Sequence, residues 1–163
     1  MKAEIEIRPM KAADLAQVLA IAETLPEAPH WPQSAYLNAI NSQIGPTSTP
    51  RRIALVVAGS QAGSVLGFAV ASLLPPQAEL ETIAVAAENQ GQGLGQLFFR
   101  ALAAELKAAG ANELLLEVRA SNRPARAFYR ALGFVQIGLR TSYYADPIED
   151  AVLMSLQLAE RLS

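Results

Sequence analysis

The chain has no cysteine. That absence excludes disulfides, a thiolate-held metal and a cysteine nucleophile at once. Histidine is nearly as scarce: His30 is the only one in 163 residues, which leaves little from which to assemble a zinc cluster or a Ser-His-Asp triad. No metal is expected. Charged residues make up 17% and the formal net charge is −2, so no basic excess is available to track a nucleic-acid backbone. No apolar run reaches the roughly 18–20 residues that span a bilayer. The opening Met1-Lys2-Ala3-Glu4-Ile5-Glu6-Ile7-Arg8 alternates and carries acids, the pattern of a first strand and not of a signal peptide. A cytoplasmic location is the default expectation. What is present is an apolar fraction of 52%, too high for a disordered chain and sufficient, at this length, to bury one substantial core.

Periodicity and turn residues divide the chain into alternating elements. A strand is expected over 4–9 and a helix from Asp14-Leu15 to Glu23, with Leu15, Val18, Leu19 and Ala22 on one face. Pro26, Pro29 and Pro32 bracket a loop holding His30 and Trp31, and a second helix follows Pro32 through Tyr36, Leu37 and Ile40. Strands at 53–58 and 65–74 form a hairpin around 59–63. The second half reads strand (80–86), glycine-rich turn, helix (94–109), strand (113–119), helix (123–131), strand (134–140) and a last strand (150–158). This order predicts an α/β fold with a mixed sheet.

The turn is the most informative segment. Gln90-Gly91-Gln92-Gly93-Leu94-Gly95-Gln96 lies between the strand ending Ile83-Ala84-Val85 and a helix with Leu94, Leu97, Phe98, Ala101, Leu102 and Leu106 at helical spacing. A glycine-rich turn at the positive end of a helix leaves unpaired backbone N–H groups and suits a pyrophosphate. Glycines at 91, 93 and 95 admit close backbone approach where a Cβ would intrude. A P-loop would close with Gly-Lys-Ser/Thr, and a Rossmann turn would space its glycines G-x-G-x-x-G; neither is present. The alternative is a tight strand-to-helix turn with no ligand.

The Gln-x-x-Gly-x-Gly pattern after Ile-Ala-Val resembles the acyl-CoA pyrophosphate loop of the GNAT N-acetyltransferase superfamily. Leu116-Glu117-Val118-Arg119-Ala120-Ser121-Asn122, Ala127-Phe128-Tyr129, Leu132-Gly133-Phe134, Arg140-Thr141-Ser142-Tyr143-Tyr144 and Glu149-Asp150-Ala151 extend the resemblance from residue 79 to 158. They are most similar to the bacterial ribosomal-protein-alanine N-acetyltransferases (RimI type). The N-terminal third matches only in outline, and there this chain reads His30-Trp31-Pro32 where the family often carries Pro-Trp. The resemblance implies a single domain over 1–163. Its sheet would be mixed and mostly antiparallel, with six to seven strands splayed into a V-shaped cleft and about four flanking helices. It implies acetyl-CoA as cosubstrate, contacted by Ile83, Ala84, Val85, Gln90, Gly91, Gln92, Gly93, Leu94, Gly95, Gln96 and Asn122. Asn122 also reads as an N-cap for the helix at Pro124. The acceptor implied is the free α-amine of a protein N-terminus, that of the N-terminal alanine of a small-subunit ribosomal protein. The partner is then met as a protein tail, without nucleic-acid or membrane binding, by a monomer or weak homodimer.

Acyl transfer from a thioester needs a neutral amine, a donor for the oxyanion and help for the departing thiolate. An α-amine, with a reference pKa near 8 against about 10.4 for lysine, gives up its proton more cheaply by roughly 3 kcal/mol. Glu117 stands in an otherwise apolar strand and reads either as a base facing a cleft or as an exposed position paired with Arg119 at i+2. The resemblance places the general base there. Tyr129 reads either as a core aromatic, with Ala125 and Leu132 on its face, or as the acid for the thiolate, the role that the resemblance assigns to it. Without a cysteine, direct attack in a ternary complex is favoured. Tyr143, Tyr144 and Glu149 are expected to frame the acceptor's entrance. Asp150 reads equally as a solvated turn, and His30 as a loop or packing residue. A small-amine acetyltransferase and a non-enzymatic acyl-CoA-binding module are the alternatives.

Overall fold

In the computed structural model, residues 4–25, 31–42, 51–60, 64–145 and 147–158 are described. Strand β1 (Glu6–Pro9) leads through a short 3-10 turn (Ala12–Asp14) to helices α1 (Leu15–Thr24) and α2 (Gln33–Ser42). Then come β2 (Arg51–Ala58), β3 (Val65–Leu74) and β4 (Gln77–Val85), a second 3-10 turn (Ala87–Asn89), and α3 (Leu94–Ala108). Strand β5 (Glu113–Arg119), α4 (Arg123–Ala131), β6 (Val135–Tyr144) and β7 (Glu149–Gln157) are the last of the described elements. Among the described residues the strands form one seven-stranded sheet in the order β1-β2-β3-β4-β5-β7-β6. Among the described strands only β4 and β5 run parallel; the other pairs are antiparallel.

The elements follow the sequence pattern closely, with differences at their ends. β4 begins at Gln77, three residues before the expected start, because Pro75-Pro76 forms the turn that returns β3 directly into it. β6 runs on to Tyr144, beyond the expected 140, because β7 continues to offer it partners as far as Tyr144↔Glu149. The polar run Arg140-Thr141-Ser142 hid that extension.

Two apolar layers hold the sheet. On one face α3 buries Phe98, Phe99, Leu102 and Leu106 against Leu114, Leu116 and Val118 of β5. On the other, α1 and α2 bury Val18, Ile21, Tyr36 and Ala39 against Ala54, Val56, Phe68 and Val70. The central strands β2 and β3 are therefore nearly continuous apolar runs, as strands covered on both faces must be. β5 alternates buried and half-buried residues along its whole length, since helices cover only one of its faces. At the N-terminal edge Arg8 donates twice to the buried Asp14 carboxylate, at 2.8 Å each, and the Lys11 N–H donates to it as well. The Arg8 guanidinium, by these hydrogen bonds, holds the Asp14 carboxyl below its ordinary range. Among the described residues no helix is long and apolar enough to cross a membrane.

Candidate active site

The site begins where two strands part. β4 and β5 are paired only at Gln77↔Glu113, Ala78↔Leu114 and Glu79↔Leu115. Beyond that point β4 stays with β3 as far as Gly67↔Val85, and β5 stays with β7 as far as Arg119↔Ala151. A bulge at the parting, where Val70↔Thr82 steps to Ala71↔Leu80, leaves Glu81 as an extra residue and bends β4 away. Arg52 clamps Glu81 through two nitrogens at 2.9 and 3.1 Å. The result is a V-shaped cleft. Ile83, Ala84 and Val85 are laddered to β3 on one side only; on the other edge the Val85 carbonyl accepts from the Gln90 side chain, and the remaining outward-facing N–H and C=O groups are left to meet an extended ligand.

The glycine-rich turn sits at the end of that wall. Gly91 and Gly93 both have φ of +78°, and a Cβ added at either would meet no atom within 4 Å. The left-handed backbone selects glycine, and the open space beyond it is room for a phosphate. Gly93 is also the N-cap of α3, whose first turn carries no acidic residue to occupy its N–H groups. Leu94 and Gln96 belong to this first turn and Gln92 to the loop before it. Gln90 turns inward: its side-chain amide donates to the Val85 carbonyl at 2.8 Å and ties the loop to the end of β4. Gly95 differs from the other two glycines, because its Cβ would come within 3.3 Å of the Phe128 ring. It brings α3 and α4 together. The Asn122 side chain accepts from the Ala125 N–H at 3.2 Å, so the N-cap role is present in the geometry.

The opposite wall carries side chains. Glu117 is registered with Leu153 of β7, and its side chain is about one-fifth exposed (21%). Its partner is not the neighbouring Arg119: Arg140 of β6 approaches it at 3.7 Å, while Arg119 bonds Glu149 at 3.3 Å and lies over the Tyr144 ring at 4.2 Å. The β7 register explains this, since Ala151 pairs with Arg119 on one side and Arg140 on the other, which sets Arg140 on the sheet face that carries Glu117. Tyr143 stands close enough to Glu117 that hydrogen bonding to the carboxylate, then its charge, pushes the phenol above its ordinary value. Burial, then the charge of Glu117, does the same to Tyr144. The two rings meet edge-on at 5.2 Å. Ser142, at φ +52°, together with a bulge in β6, re-aims both tyrosines. The Asp150 carboxylate holds that kink by accepting from the Ser142 N–H at 2.9 Å. Asp150 thus stands in β7 and not in a turn, and braces β6 from there.

Tyr129 lies between these walls and the core. Its ring meets Phe128 and Phe134 at 5.6 and 5.5 Å, and burial, then Tyr144, pushes its phenol up to about 12. The packing reading of Tyr129 is therefore present, and the shifted hydroxyl is present with it. Glu149 is engaged by the Ser121 N–H at 2.9 Å and by Arg119, and these hydrogen bonds hold its carboxyl below the ordinary range. His30 lies outside the described residues. Trp31 packs on Tyr36 at 5.2 Å. Sequence reasoning assigned no role to Arg140 or Glu79. Nothing local marks either one; only the strand register brings them to Glu117.

Comparison with known proteins agrees with this geometry. The chain is 40% identical over 102 residues to the [ribosomal protein bS18]-alanine N-acetyltransferase of Escherichia coli K12, covering 61% of this chain and 69% of the relative. The crystal structure of the ribosomal-protein-S18-alanine N-acetyltransferase from Escherichia coli superimposes with a TM-score of 0.76 at 30% identity, over 97% of this chain and 96% of the other. Nourseothricin acetyltransferase matches at 33% identity but over only 66% of each chain, with a TM-score of 0.61. The family model for the acetyltransferase (GNAT) family matches residues 16–134, and the chain belongs to that family.

Proposed function

We propose that this acetyltransferase moves the acetyl group of acetyl-CoA to the free α-amine of a protein N-terminus, with the N-terminal alanine of ribosomal protein bS18 as acceptor. The observation that carries the reading is the parting of β4 from β5 after Glu79↔Leu115, which opposes a free backbone edge to a wall bearing Glu117. The relatives named for bS18-alanine acetylation support the choice of acceptor.

The residues suit acetyl-CoA. The open space over Gly91 and Gly93, with the N–H groups of the first α3 turn, offers a cradle for the pyrophosphate, and the free edge of residues 83–85 offers strand-like pairing to the pantetheine arm. The cosubstrate supplies the thioester; the chain supplies proton handling and position. Glu117 takes a proton from the acceptor ammonium, directly or through water, and the amine attacks as the C–N bond forms and the C–S bond breaks. Of the two protons the ammonium loses, one ends on the departing sulfur and one in solvent. Tyr129, pushed up to about 12, keeps its proton at neutral pH and is available as a donor. Complete transfer to a thiolate whose acid lies near 8.5 would be uphill by roughly 5 kcal/mol. Tyr129 therefore works chiefly through a hydrogen bond to the sulfur as charge develops. Tyr143 and Tyr144 line the acceptor's entrance.

The reading is tested by acetyl-CoA-dependent release of CoA against a panel of acceptors. The panel holds Ala-, Ser- and Met-starting hexapeptides, a blocked peptide with an internal lysine, and small amines including nourseothricin. Turnover of free Ala- or Ser-starting peptides is expected. Turnover confined to small amines would overturn it and favour the second reading, a small-molecule acetyltransferase, for which the nourseothricin enzyme's 33% identity is the supporting observation.

A further inference from the structure

Two arginines share the face of the sheet that carries Glu117, both registered with Ala151 of β7. Arg119 is committed to Glu149 and the Tyr144 ring. Arg140 points its guanidinium at Glu117, 3.7 Å away, with the Tyr143 ring at 5.4 Å from its central carbon. From the other side of the cleft, Glu79 of β4 is registered with Leu115, two residues before Glu117, and so presents a second carboxylate on the same face. Glu117 thus lies between a positive charge from β6 and a negative one from β4.

An ion pair whose arginine is 56% exposed, at a distance beyond a good hydrogen bond, contributes little to stability. It is better placed to act on charge in the cleft. We propose that Arg140 is the positioning residue of this site: it holds the Glu117 carboxylate at the cleft mouth and supplies the positive charge against which the bound acceptor amine gives up its proton. This rests on the reading of Glu117 as base. The bound ammonium and the Glu117 carboxylate together hold one proton more than the reactive state, and a fixed positive charge beside them favours its loss. Glu79 opposes that effect. Its own carboxyl is raised by desolvation and then by the charges of Glu117 and Glu81, and Arg140 pulls it down. The other ionisable groups around Glu117 are Arg119 from β5, Tyr143 and Tyr144 from β6 and Glu149 from β7. Arg119 and Glu149 largely neutralise each other.

The test is the pH dependence, from 5.5 to 9, of the single-turnover rate with saturating acetyl-CoA and an Ala-starting hexapeptide. Arg140→Met should move the acid limb to higher pH by about 0.5–1 unit, so that the rate at pH 6 falls roughly 3- to 10-fold while the rate at pH 9 stays within about 2-fold. Arg140→Lys should restore the wild-type limb, and Glu79→Gln should move it the opposite way. Melting temperatures of all three should match the wild type. A loss in Arg140→Met that is equal at every pH, or an unmoved limb, would overturn the proposal. Glu117→Gln run alongside separates the two ideas: if it is impaired while Arg140→Met leaves the limb unmoved, only the role of Arg140 falls. If Glu117→Gln keeps the wild-type rate at every pH, the base assignment falls and Arg140 with it.

Discussion

The two walls of the cleft are built on different principles. The β4 wall, with the turn after it, offers main-chain groups: the free edge of residues 83–85, the N–H groups of the first α3 turn and the space over Gly91 and Gly93. Side-chain identity matters there mainly where a side chain would be in the way. The β5–β6 wall offers side chains, and its properties come from which charges meet: Glu117 with Arg140 and Tyr143, and Arg119 with Glu149 and Tyr144. Under the proposed function the first wall grips a common cosubstrate and the second handles protons and the acceptor. A backbone wall tolerates sequence change and still binds the same ligand. A side-chain wall can be retuned by single substitutions.

Substitutions that damage one wall and spare the other sharpen this contrast. The largest effect is expected for Glu117→Gln, which should lower kcat by about 10²-fold or more, most severely at low pH where neutral amine is scarcest, with CoA affinity unchanged by calorimetry. Rates unchanged across pH 6–9 would remove Glu117 from the mechanism. Tyr129→Phe should slow turnover by roughly 10-fold and leave the melting temperature nearly unaltered, because the ring keeps its contacts with Phe128 and Phe134. Normal turnover would reassign the donor. Gly93→Ala forces a Cβ onto a backbone at φ +78°, and should weaken CoA binding several-fold and stability by about 1 kcal/mol, with kcat at saturation little changed.

The smallest effect on activity is expected far from either wall, at Asp14→Asn. Its folded carboxyl is held low by Arg8, so the stabilisation is present above the unfolded pKa near 3.9 and is lost as pH falls through the folded one. The variant should unfold more easily by about 2 kcal/mol at pH 7. That gap should close progressively in denaturant titrations below about pH 4, with kcat per folded molecule unchanged.

Local patterns in the sequence were enough to read the glycine-rich turn, β5 and α4; at Glu117 and Tyr129 they left a structural and a catalytic reading open, and only the family resemblance chose between them. Apolar spacing, a Pro-led helix start and turn glycines are written within a few residues of the element they define. What stayed hidden depends on where one strand stops pairing with another. The cleft exists because the β4–β5 ladder ends at Glu79↔Leu115, and no local signal marks that residue or the bulge at Glu81. For Glu117 the sequence offers pairing with Arg119, two residues along the strand, as one of two readings, yet the partner found is another residue. It is Arg140, through a register set by Ala151. Ser142 at φ +52° gave no warning either, since serine is not a residue that announces a left-handed backbone. Glu149 is expected at the acceptor's entrance, and Asp150 there or in a solvated turn, yet Glu149 accepts from the Ser121 N–H and Asp150 from the Ser142 N–H within β6.

The division of labour between the walls is tested most directly by measuring CoA affinity and saturated kcat side by side for Glu117→Gln and Gly93→Ala. The account predicts a crossover: wild-type affinity with a kcat lowered about 10²-fold or more for the first, and weakened affinity with a kcat within a few-fold of wild type for the second. Equal losses of affinity in both variants, or a kcat in Gly93→Ala that falls as far as in Glu117→Gln, would contradict it.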